Sequence, residues 1–301
     1  MKQRQPFISI IVPTYNRPGQ LKGCLASISR LDYSRDSFEV IVVDDGGQVS
    51  LDGVVAPFGK QVDLTLLTQT HGGPGRARNH GVTKAKGTFL AFTDDDCAPD
   101  NGWLKTLSAR FAETPDYAIV GRTLNGLLDN PYSASSQAIT DFVYAYYNAD
   151  PSWARFSASN NLAMPAELFK AIGGFDADWP LAAAEDRDLC DRWLHYGYRM
   201  IYAPEVIVYH LHSLTLLSFW QQYFNYGRGA FRFHQRRTQR GTGSGVPELQ
   251  FYLRLLRYSF LKRCRPRILA LLMVWQMANA AGFFSEWLRS WRKPEKQSSN
   301  Y

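Results

Sequence analysis

Phe89-Leu90-Ala91-Phe92-Thr93 has the composition of a buried strand and runs straight into Asp94-Asp95-Asp96. Three consecutive carboxylates do not fit inside an apolar layer, because each unpaired charge costs several kcal/mol to desolvate. They belong at the carboxyl end of a central strand, where open α/β sheets bind ligands. Carboxylates gathered there repel one another unless a cation joins them. A hard divalent ion, Mg²⁺ or Mn²⁺, bridging to phosphate suits such a cluster. A solvated acidic turn is the plainer alternative, since Asp is common in turns.

The preceding residues repeat the pattern. Phe7-Ile8-Ser9-Ile10-Ile11-Val12 reads as a strand buried on both faces, ended by Pro13-Thr14-Tyr15-Asn16-Arg17-Pro18. Leu21, Cys24, Leu25 and Ile28 then fall at helical spacing. Phe38-Glu39-Val40-Ile41-Val42-Val43 is a second buried strand, and it too ends in acid, Asp44-Asp45-Gly46-Gly47. Leu64-Thr65-Leu66-Leu67 reads as a third strand, and Gly72-Gly73-Pro74-Gly75 opens a helix at Arg76-Ala77-Arg78. Strands alternating with helices predict a parallel sheet with crossovers, whose loops converge on one crevice.

Beyond Asp96 the spacing predicts a helix from Trp103 to Phe111 and a short strand from Tyr117 to Val120. Residues 125–155 are rich in Tyr, Ala, Ser and Asn and give no clear period. A strand with a polar start is predicted over residues 157–164, then a short helix from Glu167 to Ile172 closed by Gly173-Gly174. Leu189, Trp193 and Tyr196 mark a helix whose first turn holds Glu185 and Asp186, a position that the helix dipole favours for acids. Two strands, residues 201–204 and 206–209, lead to His210-Leu211-His212.

Charge divides the 301 residues unevenly. Residues 1–213 hold 19 Lys+Arg and 24 Asp+Glu, a net of −5, whereas residues 214–301 hold 15 and 3, a net of +12. In the basic segment aromatic residues from Phe219 to Phe233 interleave with Arg228, Arg232, Arg236 and Arg237, and Gly241-Thr242-Gly243-Ser244-Gly245 reads as a linker. Leu249, Tyr252, Leu253, Leu256 and Phe260 fall on one helical face, opposite Arg254, Arg257, Lys262 and Arg265, as in an interfacial helix. A last helix includes Ile268 to Phe284. It contains Gln276 and Asn279 and is short for a span, which needs about 20 apolar residues, so it is expected to lie on a membrane surface. Four well-separated cysteines indicate neither zinc nor disulfides and suit a reducing compartment, and no signal peptide is read at the start.

Five motifs in order make the chain resemble family 2 inverting glycosyltransferases of the GT-A fold. They are Ile11-Val12-Pro13-Thr14-Tyr15-Asn16-Arg17, Val42-Val43-Asp44-Asp45-Gly46, Gly75-Arg76-Ala77-Arg78-Asn79-His80-Gly81, Thr93-Asp94-Asp95-Asp96, and Gly173-Gly174-Phe175-Asp176 followed by Glu185-Asp186-Arg187-Asp188-Leu189. The resemblance implies an α/β GT-A architecture over residues 1–213, a Rossmann-like nucleotide-sugar half (about 1–122) fused to an acceptor half (123–213). Residues 214–301 are then a basic, aromatic-rich helical segment that associates with membrane.

By that resemblance Pro13, Thr14, Tyr15 and Arg17 contact the nucleoside, and Asp44 or Asp45 accepts the base N–H. Arg78 serves the donor's diphosphate or ribose. Asp94 takes the ribose, Asp96 the Mn²⁺ or Mg²⁺, and Asp95 shares either role. Asp186 is the catalytic base and Glu185 orients the acceptor, with Asn160, Asn161 and Asp176 as further acceptor contacts. His210 completes the metal shell, although His212, two residues along a strand, faces the same side.

Gly47-Gln48-Val49-Ser50 departs from the polar run usual after the second strand's acids, which leaves the base preference open. The chain lacks the Gln-x-x-Arg-Trp signature of processive synthases, so transfer of a single sugar is expected. The expected partners are a nucleotide sugar (a UDP-sugar by family frequency), a glycan or lipid hydroxyl acceptor and an anionic membrane at the cytoplasmic face. No nucleic acid is expected. Two alternatives remain, an inactive sugar-nucleotide-binding homologue and a single-stranded nucleic-acid binder acting through the basic aromatic segment.

Overall fold

The computed structural model describes residues 5–177, 183–243, 250, 251, 254, 255, 257 and 266–292. They form two compact units, Met1–Ser213 and Leu214–Tyr301.

The first unit is built on an eight-stranded mixed sheet. In chain order the strands are β1 (Ile8–Thr14), β2 (Phe38–Asp44), β3 (Asp63–Thr68), β4 (Phe89–Phe92), β5 (Cys97–Pro99), β6 (Ala118–Asn125), β7 (Leu162–Pro165) and β8 (Met200–His210). Their spatial order is β3-β2-β1-β4-β7-β6-β8-β5. The four strands β3, β2, β1 and β4 run parallel, and β7 joins β4 antiparallel. Among the described residues, seven α-helices accompany them: α1 (Pro18–Ile28), α2 (Asp52–Val55), α3 (Pro74–Val82), α4 (Trp103–Glu113), α5 (Pro131–Tyr147), α6 (Ala166–Ala171) and α7 (Glu185–His195).

Alternation along the strands splits the core into two layers. Ile10, Val12, Val40 and Val42 pack with Leu21 and Leu25 of α1 and Leu104 and Leu107 of α4. Ile11, Ile41, Val43 and Phe92 face the other way, against Ala77 of α3, Phe169 of α6 and Trp193 of α7. This is why β1 and β2 read as unbroken apolar runs, since neither face meets water.

Three expectations need correction. β1 does not stop before Pro13 but runs to Thr14, paired with Asp44. Pro13 lies beyond the β1–β4 pairing, which ends at Ile11–Phe92, so its missing N–H costs no bond on that side. The polar start of the strand predicted over 157–164 is a turn of 3₁₀ helix, Ser159–Asn161, and only Leu162–Pro165 pairs. The two strands predicted around Pro204 are one strand, β8, which skips register opposite Gly121 and Arg122. Pro204 lies in that bulge, where no ladder bond is required of it. The unassigned stretch 125–155 contains α5, capped by the Asn130 side chain with Pro131 in its first turn.

Asn161 holds the sheet's second half together. Its amide hydrogens go to the carbonyls of Arg122 and Val206 (3.0 Å each), and its oxygen accepts from Trp103 Nε1 at 2.9 Å. Asn161→Ala leaves these buried groups unsatisfied, and the expected loss of about 2–3 kcal/mol is readable by urea unfolding.

The second unit contains α8 (Leu216–Arg240) and α9 (Pro266–Arg292). Thr215 and Ser218 form a capping box at the start of α8, and Gly241, in the left-handed region, closes it. Gly241 thus caps a helix rather than beginning a free linker. Ring contacts Tyr223–Trp275 and Phe231–Phe283 keep one register offset, so the two helices run parallel. They touch at Gly227 and Gly282, where a Cβ would overlap the carbonyls of Asn279 and Phe224. The amphipathic face expected at Leu249, Tyr252, Leu253, Leu256 and Phe260 lies outside the described residues.

Candidate active site

The carboxyl ends of β1, β2 and β4 lie side by side, because β1 is flanked by the other two. Thr14, Asp44 and Asp94-Asp95-Asp96 therefore open onto one crevice, as the acid-terminated strands predict.

On its β1–β2 side, Tyr15 stacks on His71 with ring centroids 4.3 Å apart. Asp45 is buried and its carboxylate is taken up by the loop after β3. It accepts from Gln69 Nε2 (2.6 Å), Gly72 N (2.9 Å) and Gly73 N (2.8 Å), and His71 Nδ1 lies 2.9 Å away. Gly46 makes this closure possible. It has φ +81°, and a Cβ there would sit 2.7 Å from His71 N. Asp44 accepts from Gly47 N at 2.8 Å, which leaves lone pairs on its carboxylate open to a further donor. Of the two acids left open by the sequence, Asp45 holds a loop and Asp44 is the one available.

The three consecutive acids face three different partners. Asp95 accepts from Thr14 Oγ1 at 2.7 Å and from Arg17 at 3.2 Å. Burial lifts its carboxyl to about 6, against the pull of Arg17 and Thr14. Through these bonds it ties β4's loop to the end of β1. Asp96 lies 3.2 Å from His210 Nε2 and 3.2 Å from Arg17. Burial opposes its ionisation, but the His210 hydrogen bond and charge, with Arg17, hold it well below the usual carboxylate range. His212 stacks on His210 at 4.9 Å. Burial and the neighbouring His210 push it down to about 4, and its Nδ1 is buried without a partner. His210, not His212, contacts Asp96.

A carboxylate oxygen from the turn before β5 and an imidazole nitrogen from the end of the neighbouring β8 are a donor pair that Mn²⁺ accepts, and the ligand atoms of Asp96, Cys97 and His210 lie within 4.8 Å of one another. Asp96 is kept ionised, as a ligand must be. Cys97 is fully buried in the apolar layer with Cys24, and burial pushes its thiol up, so the oxygen–nitrogen pair is the useful part.

Arg78 crosses the crevice. Buried on α3, it donates to Asp94 at 2.6 Å and to Glu185 at 3.3 Å, with its guanidinium 5.3 Å from the Phe175 ring. Burial disfavours its charge, but Asp94 and Glu185 outweigh that and raise its pKa. The next residue, Asn79, pins the loop after α6 by exchanging hydrogen bonds with the Phe175 backbone at 2.7 and 2.9 Å. Asp176 lies in that loop, against Gly75 at the start of α3.

Glu185 and Asp186 start α7 behind Ala184, a non-glycine residue held at φ +68°. Burial and the charge of Asp186 push Glu185 up to about 7 despite Arg78. Asp186 is raised too, first by burial, while a 2.7 Å bond from Arg187 N and the charges of Arg78 and Arg187 hold it down. The half-buried Asp186 thus sits in a pair that titrates above ordinary carboxylates.

The acceptor role expected of Asn161 is corrected, since its amide is spent inside the sheet. Asn160 is also buried and accepts from Thr123 Oγ1 at 3.1 Å. His71 and Gln69 were absent from the sequence-based site. Their signal was the Gly72-Gly73 pair, which marks a loop folded back on an acid.

The family model of glycosyl transferase family 2 matches residues 9–173, more than half of the chain. The chain belongs to this family. It is similar to the glycosyltransferase AglE of Haloferax volcanii, 26% identical over 212 residues, which cover 70% of this chain and 68% of that protein. It is also similar to the pre-mycofactocin glycosyltransferase of Mycobacterium tuberculosis, 29% identical over 232 residues, covering 74% of this chain but about half (46%) of that protein's length.

Among solved structures, the Pyrobaculum calidifontis mannosyltransferase PcManGT, in complex with GDP-Man and Mn²⁺, superposes with a TM-score of 0.66. It is 18% identical and covers 94% of this chain and 88% of its own. S. aureus TarS 1–349 in complex with UDP-GlcNAc gives 0.53 at 18% identity, covering 96% and 93%. These likenesses show the GT-A fold. The family 2 match ends at residue 173, twelve residues before Glu185.

Proposed function

We propose that this glycosyltransferase moves one sugar, with inversion, from a nucleotide-diphosphate sugar to a hydroxyl of a lipid-linked or glycan acceptor at the cytoplasmic face of a membrane. The observation that carries the reading is Arg78, which links Asp94 on the donor side to Glu185 beside Asp186. Donor and base are then anchored to one guanidinium.

Tyr15, backed by the stacked His71 ring, packs against the nucleobase, and Asp44 accepts its N–H. Asp94 holds the ribose and Arg78 the diphosphate. Asp96 and His210 would hold the Mn²⁺ or Mg²⁺ ion, which when bound offsets charge on the departing diphosphate. Glu185 and Asp176 orient the acceptor. Asp186 takes the proton of the acceptor hydroxyl as its oxygen attacks the anomeric carbon opposite the leaving group. UDP is the favoured nucleotide, as in the TarS complex, whereas PcManGT was solved with GDP-Man.

Nucleotide release from UDP-, GDP- and TDP-sugars with Mn²⁺ or Mg²⁺ tests this. Metal-dependent turnover of one donor is expected, and no binding of any sugar nucleotide would sink the reading. Because the base must be ionised and the Glu185–Asp186 pair is raised, with Glu185 at about 7, kcat/KM is expected to fall as pH drops through the neutral region. A profile flat down to ordinary carboxylate values would contradict Asp186 as base.

A further inference from the structure

We infer that α9 lies in the plane of an anionic lipid surface, with its uncovered face in the acyl layer, and does not cross the bilayer. The inference deepens the membrane reading above by naming the helix, the face and the depth.

By length and composition α9 could span a membrane. Its surroundings argue otherwise. Glu286, buried in its second half, accepts from Arg228 Nε at 2.9 Å and from Arg232 Nε and Nη2 at 2.9 and 2.5 Å. With the close approach at Gly227 and Gly282, this ties α9 along the parallel helix α8. α9 cannot enter the hydrocarbon without α8, which carries five arginines (Arg228, Arg232, Arg236, Arg237 and Arg240).

The side of α9 turned from α8 is apolar. Leu269, Met273, Met277, Phe284, Leu288 and Trp291 follow one another at spacings of three to seven, along one stripe roughly 33 Å long. Met273 is 68% exposed and Trp291 75%. An uncovered stripe of this length marks a docking face. Charge identifies the occupant. The segment from residue 214 onward carries a net of +12, and one of its three acids, Glu286, is already neutralised by two arginines. A second copy would bring the same positive charge against it, whereas an anionic lipid surface attracts it. Tryptophans such as Trp287 and Trp291 suit the headgroup boundary.

The test uses the full chain with sealed vesicles of phosphatidylcholine and phosphatidylglycerol. Wild type is expected to sediment with them, and the Met277→Glu/Phe284→Glu double variant to lose about a hundredfold in partitioning while keeping its unfolding midpoint and donor turnover. Met273→Glu alone, at a fully open position, is expected to lose a smaller part. In a Cys264→Ser/Ser299→Cys chain added from outside, residue 299 is expected to stay open to an impermeant maleimide. Undiminished binding by the double variant overturns the inference. So does protection of residue 299, which would mean a span, or a switch of these variants from dimer to monomer, which would mean a second copy. Donor turnover, read in parallel, reports on the transferase reading independently.

Discussion

Asp186→Asn is expected to lower kcat for sugar transfer by about 10²–10⁴-fold, the range a positioned general base supplies. The amide has the carboxylate's shape and can still accept from Arg187 N, as Asp186 does at 2.7 Å, so α7 keeps its start. What is lost is the capacity to take a proton. Arg78, Asp94 and Asp44 are untouched, so donor binding, measured by calorimetry with the nucleotide, should stay within a few-fold of wild type. A fall in donor affinity equal to the fall in kcat would assign Asp186 to binding instead. Glu185→Gln discriminates further. It removes a charge partner of Arg78, so it is expected to disturb donor affinity as well as rate.

Asp96→Ala is expected to weaken Mn²⁺ binding by at least about 100-fold, and metal-dependent nucleotide release with it. The readout is Mn²⁺ titration by electron paramagnetic resonance in the presence of nucleotide, independent of turnover. The fold should survive, because the hydrogen bond from Leu211 N goes to the Asp96 backbone carbonyl (2.8 Å) and not to the side chain. His210→Ala should also weaken binding, and His212→Ala much less, since His210 contacts Asp96. Equal effects of the two histidine variants would contradict that assignment.

The first half of the sheet was legible in the sequence because β1, β2 and β4 are buried on both faces and end abruptly in polar residues. Burial of this kind leaves an unbroken apolar run, and the acids at its end mark the sheet edge where a ligand binds. The stretch after β6 was less legible. Helix α5 places Ser133 and Ser135 on its buried face, and Ser135 satisfies its hydroxyl on the Pro131 carbonyl at 2.8 Å, so the apolar period is broken. Its Asn130-Pro131 start was the readable signal. β8 looked like two strands because Pro204 falls in a bulge, and a bulge is invisible without the partner strand. Within the site, residue types alone could not separate Asp44 from Asp45 or His210 from His212. Each choice depends on which neighbour consumes the lone pairs, a loop 24 to 28 residues away for Asp45 and the acid just before a neighbouring strand for His210.

The most direct test of the central claim is the configuration of the sugar first released. ¹H NMR of donor hydrolysis by the wild-type chain, with water as acceptor and an α-linked donor, reads the anomer before mutarotation. A base such as Asp186, acting opposite the leaving diphosphate, predicts the β anomer, and initial release of the α anomer would contradict the account.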